Sequence, residues 1–196
     1  MFACRHAPLK VSPEVEQLLV THYSEPDRAY HNLTHIAEVL GWFDLVAEEV
    51  GWDAPVDVYL AILFHDAIYD PTAPHGDNEA RSAKLAQRHG AREHTAALIL
   101  LTARHGKVSR AEIDRDAAHF LDCDTAILGS APDAFDAYDA AIAAEYTHVP
   151  PDAYRVGRRS FLEKMLVRPR IFLSDFFHDR LHAAARANLE RAIARL

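Results

Sequence analysis

The apolar positions of this chain recur at intervals of three and four residues almost throughout, the spacing of a helix that buries one face. Val15, Leu18 and Leu19 form such a stripe behind Ser12-Pro13-Glu14, which reads as an N-cap, a first-turn proline and an acid that suits the helix dipole. That helix should stop near Tyr23, ahead of Ser24-Glu25-Pro26. Asn32 or Thr34 caps a second stripe, Ile36, Val39, Leu40, Phe43, Val46 and Ala47, which lasts to Gly51. Asp53-Ala54-Pro55 opens a third, carried by Val56, Leu60, Leu63 and Phe64 to His65-Asp66. Beyond a loop from Tyr69 to Asp77, which holds Pro71, Pro74 and Gly76, Asp77 should cap a helix to His89. Others are predicted from Arg92 to His105-Gly106, from the capping box Ser109…Glu112 to about Phe120, over Pro132 to Tyr146 and Pro151 to Val167, and from about Ser174 to Leu196 beyond the break at Arg168-Pro169. There is no sustained period-two alternation, internal repeat or interdomain linker, so the pattern predicts an all-α bundle forming one domain over residues 1–196.

Composition changes this picture in three respects. With 29 acids against 21 Lys and Arg the formal charge is -8, which argues against binding a nucleic-acid backbone. Cys4 and Cys123 are far apart and suggest no disulfide framework, and the N-terminal stretch MFACRHAPLK lacks the apolar core of a signal peptide. No run approaches the roughly 20 apolar residues of a membrane span. The expectation is a reduced, cytoplasmic protein with no membrane association. Histidine is the unusual component, 13 residues in 196, but His6, His22, His75, His89, His94, His148, His178 and His182 follow no informative spacing.

Candidate chemistry gathers elsewhere. His31 and His35 are four residues apart where the second helix should start, the apolar run Leu60 to Phe64 ends in His65-Asp66, and Phe120-Leu121 leads into Asp122-Cys123-Asp124. Such groups are costly beside a core unless something compensates them, and a divalent metal would do so. The proposed cage is His35, His65, Asp66 and Asp124, a donor set that suits Mn, Fe, Mg, Zn or Ni without selecting among them. G-x-G-x-x-G, P-loop, G-x-S-x-G, C-x-x-C and H-E-x-x-H motifs do not occur.

The order His35, His65-Asp66, Asp124 resembles the H…HD…D signature of the HD superfamily of metal-dependent phosphohydrolases. The resemblance extends to a bacterial group of predicted HD phosphohydrolases through Tyr30-His31-Asn32, Tyr69-Asp70, Asp77-Asn78-Glu79, Thr102 with His105, Asp122, Glu145-Tyr146, Gly157-Arg158 and Arg186-Ala187-Asn188. It implies an HD-domain helical bundle, a divalent metal cofactor and a small phosphate ester or nucleotide as substrate, hydrolysed by metal-activated water. Tyr30-His31-Asn32-Leu33-Thr34-His35 is also similar to the histidine motif of cyclic-nucleotide phosphodiesterases, where the first histidine protonates the leaving oxygen and the second binds metal. Tyr69 departs from that family's HD-x-x-H pattern. His65-Asp66-Ala67-Ile68-Tyr69-Asp70 resembles the HD-x-x-ED motif of stringent-response hydrolases, leaving Asp70 as the water-orienting carboxylate.

On this reading His31 is the general acid, and Asp70 or Glu79 orients or deprotonates water; Glu79 also reads as an acid at a helix start. Tyr69, at the predicted substrate mouth, and His105 and Arg158 are candidates for binding substrate. His105 also reads as a ligand of a second metal or as helix-end packing, Asp122 as a cap or outer acceptor, and Arg158 as one residue of a solvated basic face with Arg155, Arg159, Lys164, Arg168 and Arg170. A homodimer is compatible with the sequence. Two other readings remain: a metal-holding regulatory module without turnover, and a di-iron oxygenase on the same fold.

Overall fold

Caps decide where the helices begin. In the computed structural model, which describes residues 2–196, the chain forms α1 (Pro13–Tyr23), α2 (Leu33–Glu49), α3 (Pro55–Phe64), α4 (Asp77–Arg88), α5 (Glu93–Thr102), α6 (Arg115–Thr125), α7 (Pro132–Glu145), α8 (Pro151–Leu166) and α9 (Asp175–Arg195). Among the described residues there is no strand. The Ser12 hydroxyl accepts from the Val15 amide at α1, the Asn32 side chain from Thr34 at α2, Asp114 from Ala117 at α6 and Ser174 from Phe177 at α9. Proline opens α1, α3, α7 and α8, where its missing N–H is one the helix does not use.

Three boundaries differ from the sequence expectation. The Ser109…Glu112 capping box forms, but it closes only a 3₁₀ turn, Arg110–Glu112, because Ile113 is extended. Asp114 then restarts the chain as α6, which runs on to Thr125 and carries Asp122, Cys123 and Asp124 within it. Gly76, at φ +86°, occupies the N-cap position of α4, and Asp77 is the first helical residue. The third difference is at α5, which ends at Thr102 and leaves His105 on a turn.

Helix α3 is the centre of the arrangement. Val58, Tyr59, Ala61, Ile62, Leu63 and Phe64 are all buried, so it is apolar on every side and packs against α2, α4, α5 and α6. Around it α2 contributes Ile36, Val39, Leu40, Phe43 and Val46, the stripe visible in the sequence. The other side of the core is closed by α9, which receives the 3₁₀ turn Ala126–Gly129 after α6. A Cβ on Gly129 would come within 2.6 Å of Leu181 Cβ, so only glycine permits that approach. No helix among the described residues is long and apolar enough to cross a membrane.

Candidate metal centre

The candidate ligands reach one point from three buried elements. His35 lies one turn inside α2, His65 and Asp66 follow directly on the last residue of α3, and Asp124 lies in the last turn of α6. Each position follows from local sequence: the Asn32 cap sets the start of α2, and the apolar run that makes α3 a central helix delivers His65-Asp66 to its end. The donor atoms of the four residues all lie within 4.8 Å of one another. His35 Nε2 is 3.2 Å from His65 Nε2, 3.1 Å from Asp124 Oδ1 and 3.6 Å from Asp66 Oδ2. His65 Nε2 is 3.0 Å from Asp66 Oδ2 and 3.4 Å from Asp124 Oδ1. Donors held at about 2.1 Å from a common ion are separated by roughly 3.0 to 3.4 Å along tetrahedral edges or adjacent octahedral edges; four of these five distances lie in that range, so the group could hold a first-row divalent cation.

The proton arrangement fits as well. His65 Nδ1 lies 2.9 Å from the Ile62 carbonyl oxygen, which accepts its proton and leaves Nε2 with a lone pair toward the cage. Burial works against charge on His65, but Asp66 and Asp124 outweigh it and hold its pKa well above the ordinary histidine value. A divalent cation would compete with that proton for the same nitrogen. Burial likewise opposes charge on Asp66 and Asp124, yet the imidazoles, His65 foremost, keep both carboxyls well below the usual range.

Comparison of the chain with protein-family models, curated proteins and solved structures found no match.

Two buried residues to which the sequence assigned no role, Arg28 and Glu145, tie together the segments around the cage. Arg28 donates to three backbone carbonyls, those of His31 at 3.1 Å, Asp66 at 2.6 Å and Ala67 at 2.9 Å, and so joins the α1–α2 connection to the end of α3. Glu145, the last residue of α7, accepts four hydrogen bonds: from the amides of Tyr30 and His31 at 2.7 and 2.9 Å, from His31 Nδ1 at 2.6 Å and from the Tyr69 hydroxyl at 3.0 Å. Burial raises the Glu145 pKa, but the His31 contact prevails and lowers it. The same pairing leaves Nε2 as the free edge of the His31 ring. Burial disfavours charge on His31, but Asp66 and Glu145 overcome it and raise its pKa above the ordinary value. Tyr69 stacks on the ring, with centroids 4.2 Å apart, and fixes its plane.

In front of the cage is a polar cleft of about 430 Å³, lined by His31, Asp66, Tyr69, Asp70, Glu79, His105 and Asp124 and walled on one side by the proline-rich loop. Asp70, Glu79, Tyr69 and His105, all candidates in the sequence, are among its lining residues. Asp70 Oδ1 accepts from the Thr72 amide and hydroxyl, contacts that lower the Asp70 pKa, so much of its capacity is spent on the loop. Glu79 faces the cleft from the first turn of α4. His105 Nε2 meets Asp124 Oδ2 at 2.6 Å, leaving Oδ1 beside the cage histidines. Asp122 accepts from the Leu173 and Ser174 amides and the Ser174 hydroxyl, tying α6 to the start of α9. Arg158 is not in this cleft; it is buried nearby, paired with Asp139 and flanked by the rings of Tyr138 and Phe161.

Proposed function

We propose that this protein is a metal-dependent phosphohydrolase acting on a small phosphate ester. The observation that carries the reading is the convergence of His35, His65, Asp66 and Asp124 on one point, beside a histidine held by a buried carboxylate at 2.6 Å. His35 and His65 Nε2, Asp66 Oδ2 and Asp124 Oδ1 would hold the cation. Bound there, it would supply positive charge to offset repulsion between an anionic ester and its nucleophile, and would lower the pKa of water.

The chain's own residues do the rest. Glu145 holds His31 by Nδ1, so that Nε2 is presented to the cleft, and favours its protonated form. As water adds to phosphorus and the bond to the alcohol oxygen breaks, that oxygen takes the proton from His31 Nε2. Glu79, in the cleft wall, takes the proton that the attacking water loses. Tyr69 restrains the His31 ring and forms part of the cleft wall, which shields the reaction from bulk water. His105 braces Asp124 through Oδ2.

The test is a metal analysis of the purified protein, followed by chelation, reloading with Mn, Fe, Mg, Zn or Ni, and assay on phosphomonoesters, phosphodiesters and nucleotides. The expected result is hydrolysis that disappears with the metal and returns with one of these ions. A protein that takes up none of them, or that hydrolyses no phosphate ester when loaded, overturns the reading.

A further inference from the structure

A second space, an open groove of about 420 Å³, shares His31 with the polar cleft. Its walls come from the end of α7, the connection after it and one face of α8. Ala153, Gly157 and Phe161 recur there at intervals of four, so they line a single helical stripe, with Tyr154 and Arg158 beside it. Ile142 and Tyr146 face them across the space. The cleft contains four carboxylates, from Asp66, Asp70, Glu79 and Asp124, whereas this cavity is mostly apolar. Its one guanidinium is already paired, since Arg158 Nε donates to Asp139 Oδ1 at 2.8 Å. Arg158 Nη2 is also 2.8 Å from that oxygen but off the hydrogen-bonding direction, and the buried Nη2 and Tyr154 hydroxyl have no hydrogen-bond partner. Volume, aromatic walls and a few polar groups match a site for a flat organic group.

His31 and Tyr146 line both spaces. This shared wall determines what the second cavity receives. If His31 protonates the departing oxygen, that oxygen lies at its Nε2, and the group attached to it continues past the ring. We infer that the cavity between α7 and α8 binds the leaving alcohol of the substrate, and that this alcohol carries a flat aromatic group which packs among Tyr146, Tyr154 and Phe161. The inference rests on the phosphohydrolase reading for the role of His31, but not for the existence of the cavity or the character of its walls. Phe161 and Gly157 are therefore specificity-determining positions. A ring buried among aromatic side chains gains both apolar burial and edge or face contacts.

The experiment compares benzyl phosphate with ethyl phosphate, whose leaving alcohols have similar basicity and differ in the ring. The second arm is Gly157→Phe, which fills the cavity from α8. A Cβ at Gly157 meets no atom within 4 Å, and glycine inside a helix is a poor helix former, so the variant should fold and keep its thermal midpoint. In the wild type, kcat/KM for benzyl phosphate should exceed that for ethyl phosphate by about 10-fold or more, the worth of one buried ring. In Gly157→Phe the preference should collapse through loss on the benzyl ester. Equal kcat/KM for the two esters in the wild type, or an unchanged preference in the variant, overturns the inference. Calorimetric binding of both esters, measured alongside, separates this failure from that of the catalytic reading. Tighter binding of the benzyl ester that is lost in Gly157→Phe supports the cavity even where neither ester is hydrolysed, whereas equal binding of the two overturns it.

Discussion

Glu145 and Asp116 perform the same backbone task in different parts of the molecule. Asp116, in the first turn of α6, accepts from the consecutive amides of Asp53 and Ala54 at 3.1 and 2.7 Å and so fixes the entry to α3. Glu145 accepts from the consecutive amides of Tyr30 and His31 and fixes the entry to α2. Asp44 does likewise for Arg5 and His6, and Asp122 for Leu173 and Ser174. A buried carboxylate gripping two adjacent N–H groups is thus a recurring element of this fold, satisfying amides that would otherwise be stranded. What differs at Glu145 is the second oxygen, which accepts from His31 Nδ1 and the Tyr69 hydroxyl. At Asp116 the carboxylate only holds structure. At Glu145 the same device also fixes the orientation and charge of a histidine in a cleft wall.

The largest effects expected are at the histidines this difference singles out. His35→Ala should remove both bound metal and turnover, whereas His31→Ala should keep metal near the wild-type level and lose roughly 10² to 10⁴-fold in turnover. That loss should shrink on nitrophenyl esters, whose leaving group needs no proton. Metal analysis beside kcat on good and poor leaving groups checks this, and equal metal loss in both variants would make His31 a ligand instead.

Next in size is the contrast between the two carboxylates themselves. Glu145→Gln should lower kcat by about 10² or more, a large part of the acid-base contribution. Asp116→Asn should leave kcat per folded molecule within about a factor of two, since it touches no reacting group. If the two substitutions lower kcat alike, the distinction drawn between them fails.

The pH profile sharpens the same point. The folded pKa of His31 is raised, so protonated His31 contributes stability that is fully present below the unfolded value near 6.5 and is lost as pH rises through the folded value. Turnover that needs the protonated ring should fall over that same upper range. Glu145→Gln removes one of the carboxylates that raise the pKa, so the basic limb of the kcat profile should move to lower pH. An unmoved limb would assign it to another group.

Stability should show the smallest contrast. Asp116→Ala strands two amides and should cost about 1 to 3 kcal/mol in denaturant unfolding. Asp136, half-buried and held to about 2 by Arg195 and Arg191, contributes stability above the ordinary carboxylate value that is lost as pH falls toward 2. Asp136→Asn should lower the thermal midpoint less than Asp116→Ala, because surface ion pairs contribute little.

Much of this architecture is legible in the sequence, since helix starts are local. Pro13, Asn32, Pro55 and Ser174 each begin a helix within a residue or two of where their chemistry predicts. Ser109 misleads because a capping box specifies one turn and not its continuation, and the better cap, Asp114, was the missed signal. Local patterns also bring His35, His65, Asp66 and Asp124 to attention, because polar groups at the ends of apolar runs are conspicuous. Their supports are not conspicuous: Glu145 is 114 residues from His31 and Arg28 is 38 from Asp66. An arginine near a turn and a glutamate at a helix end look ordinary until the chain folds. The position of Arg158 depends on how α7 and α8 pair, which periodicity does not specify.

The Arg28 guanidinium also has a consequence for motion. By holding carbonyls of both the α1–α2 connection and the segment after α3, it links two stretches that would otherwise fray independently. Their amides should exchange with solvent deuterium in one cooperative opening, slower than the exposed turns around Ala73 and Gly106. The four side chains of the cage would then keep their register whenever the turns around the cleft open.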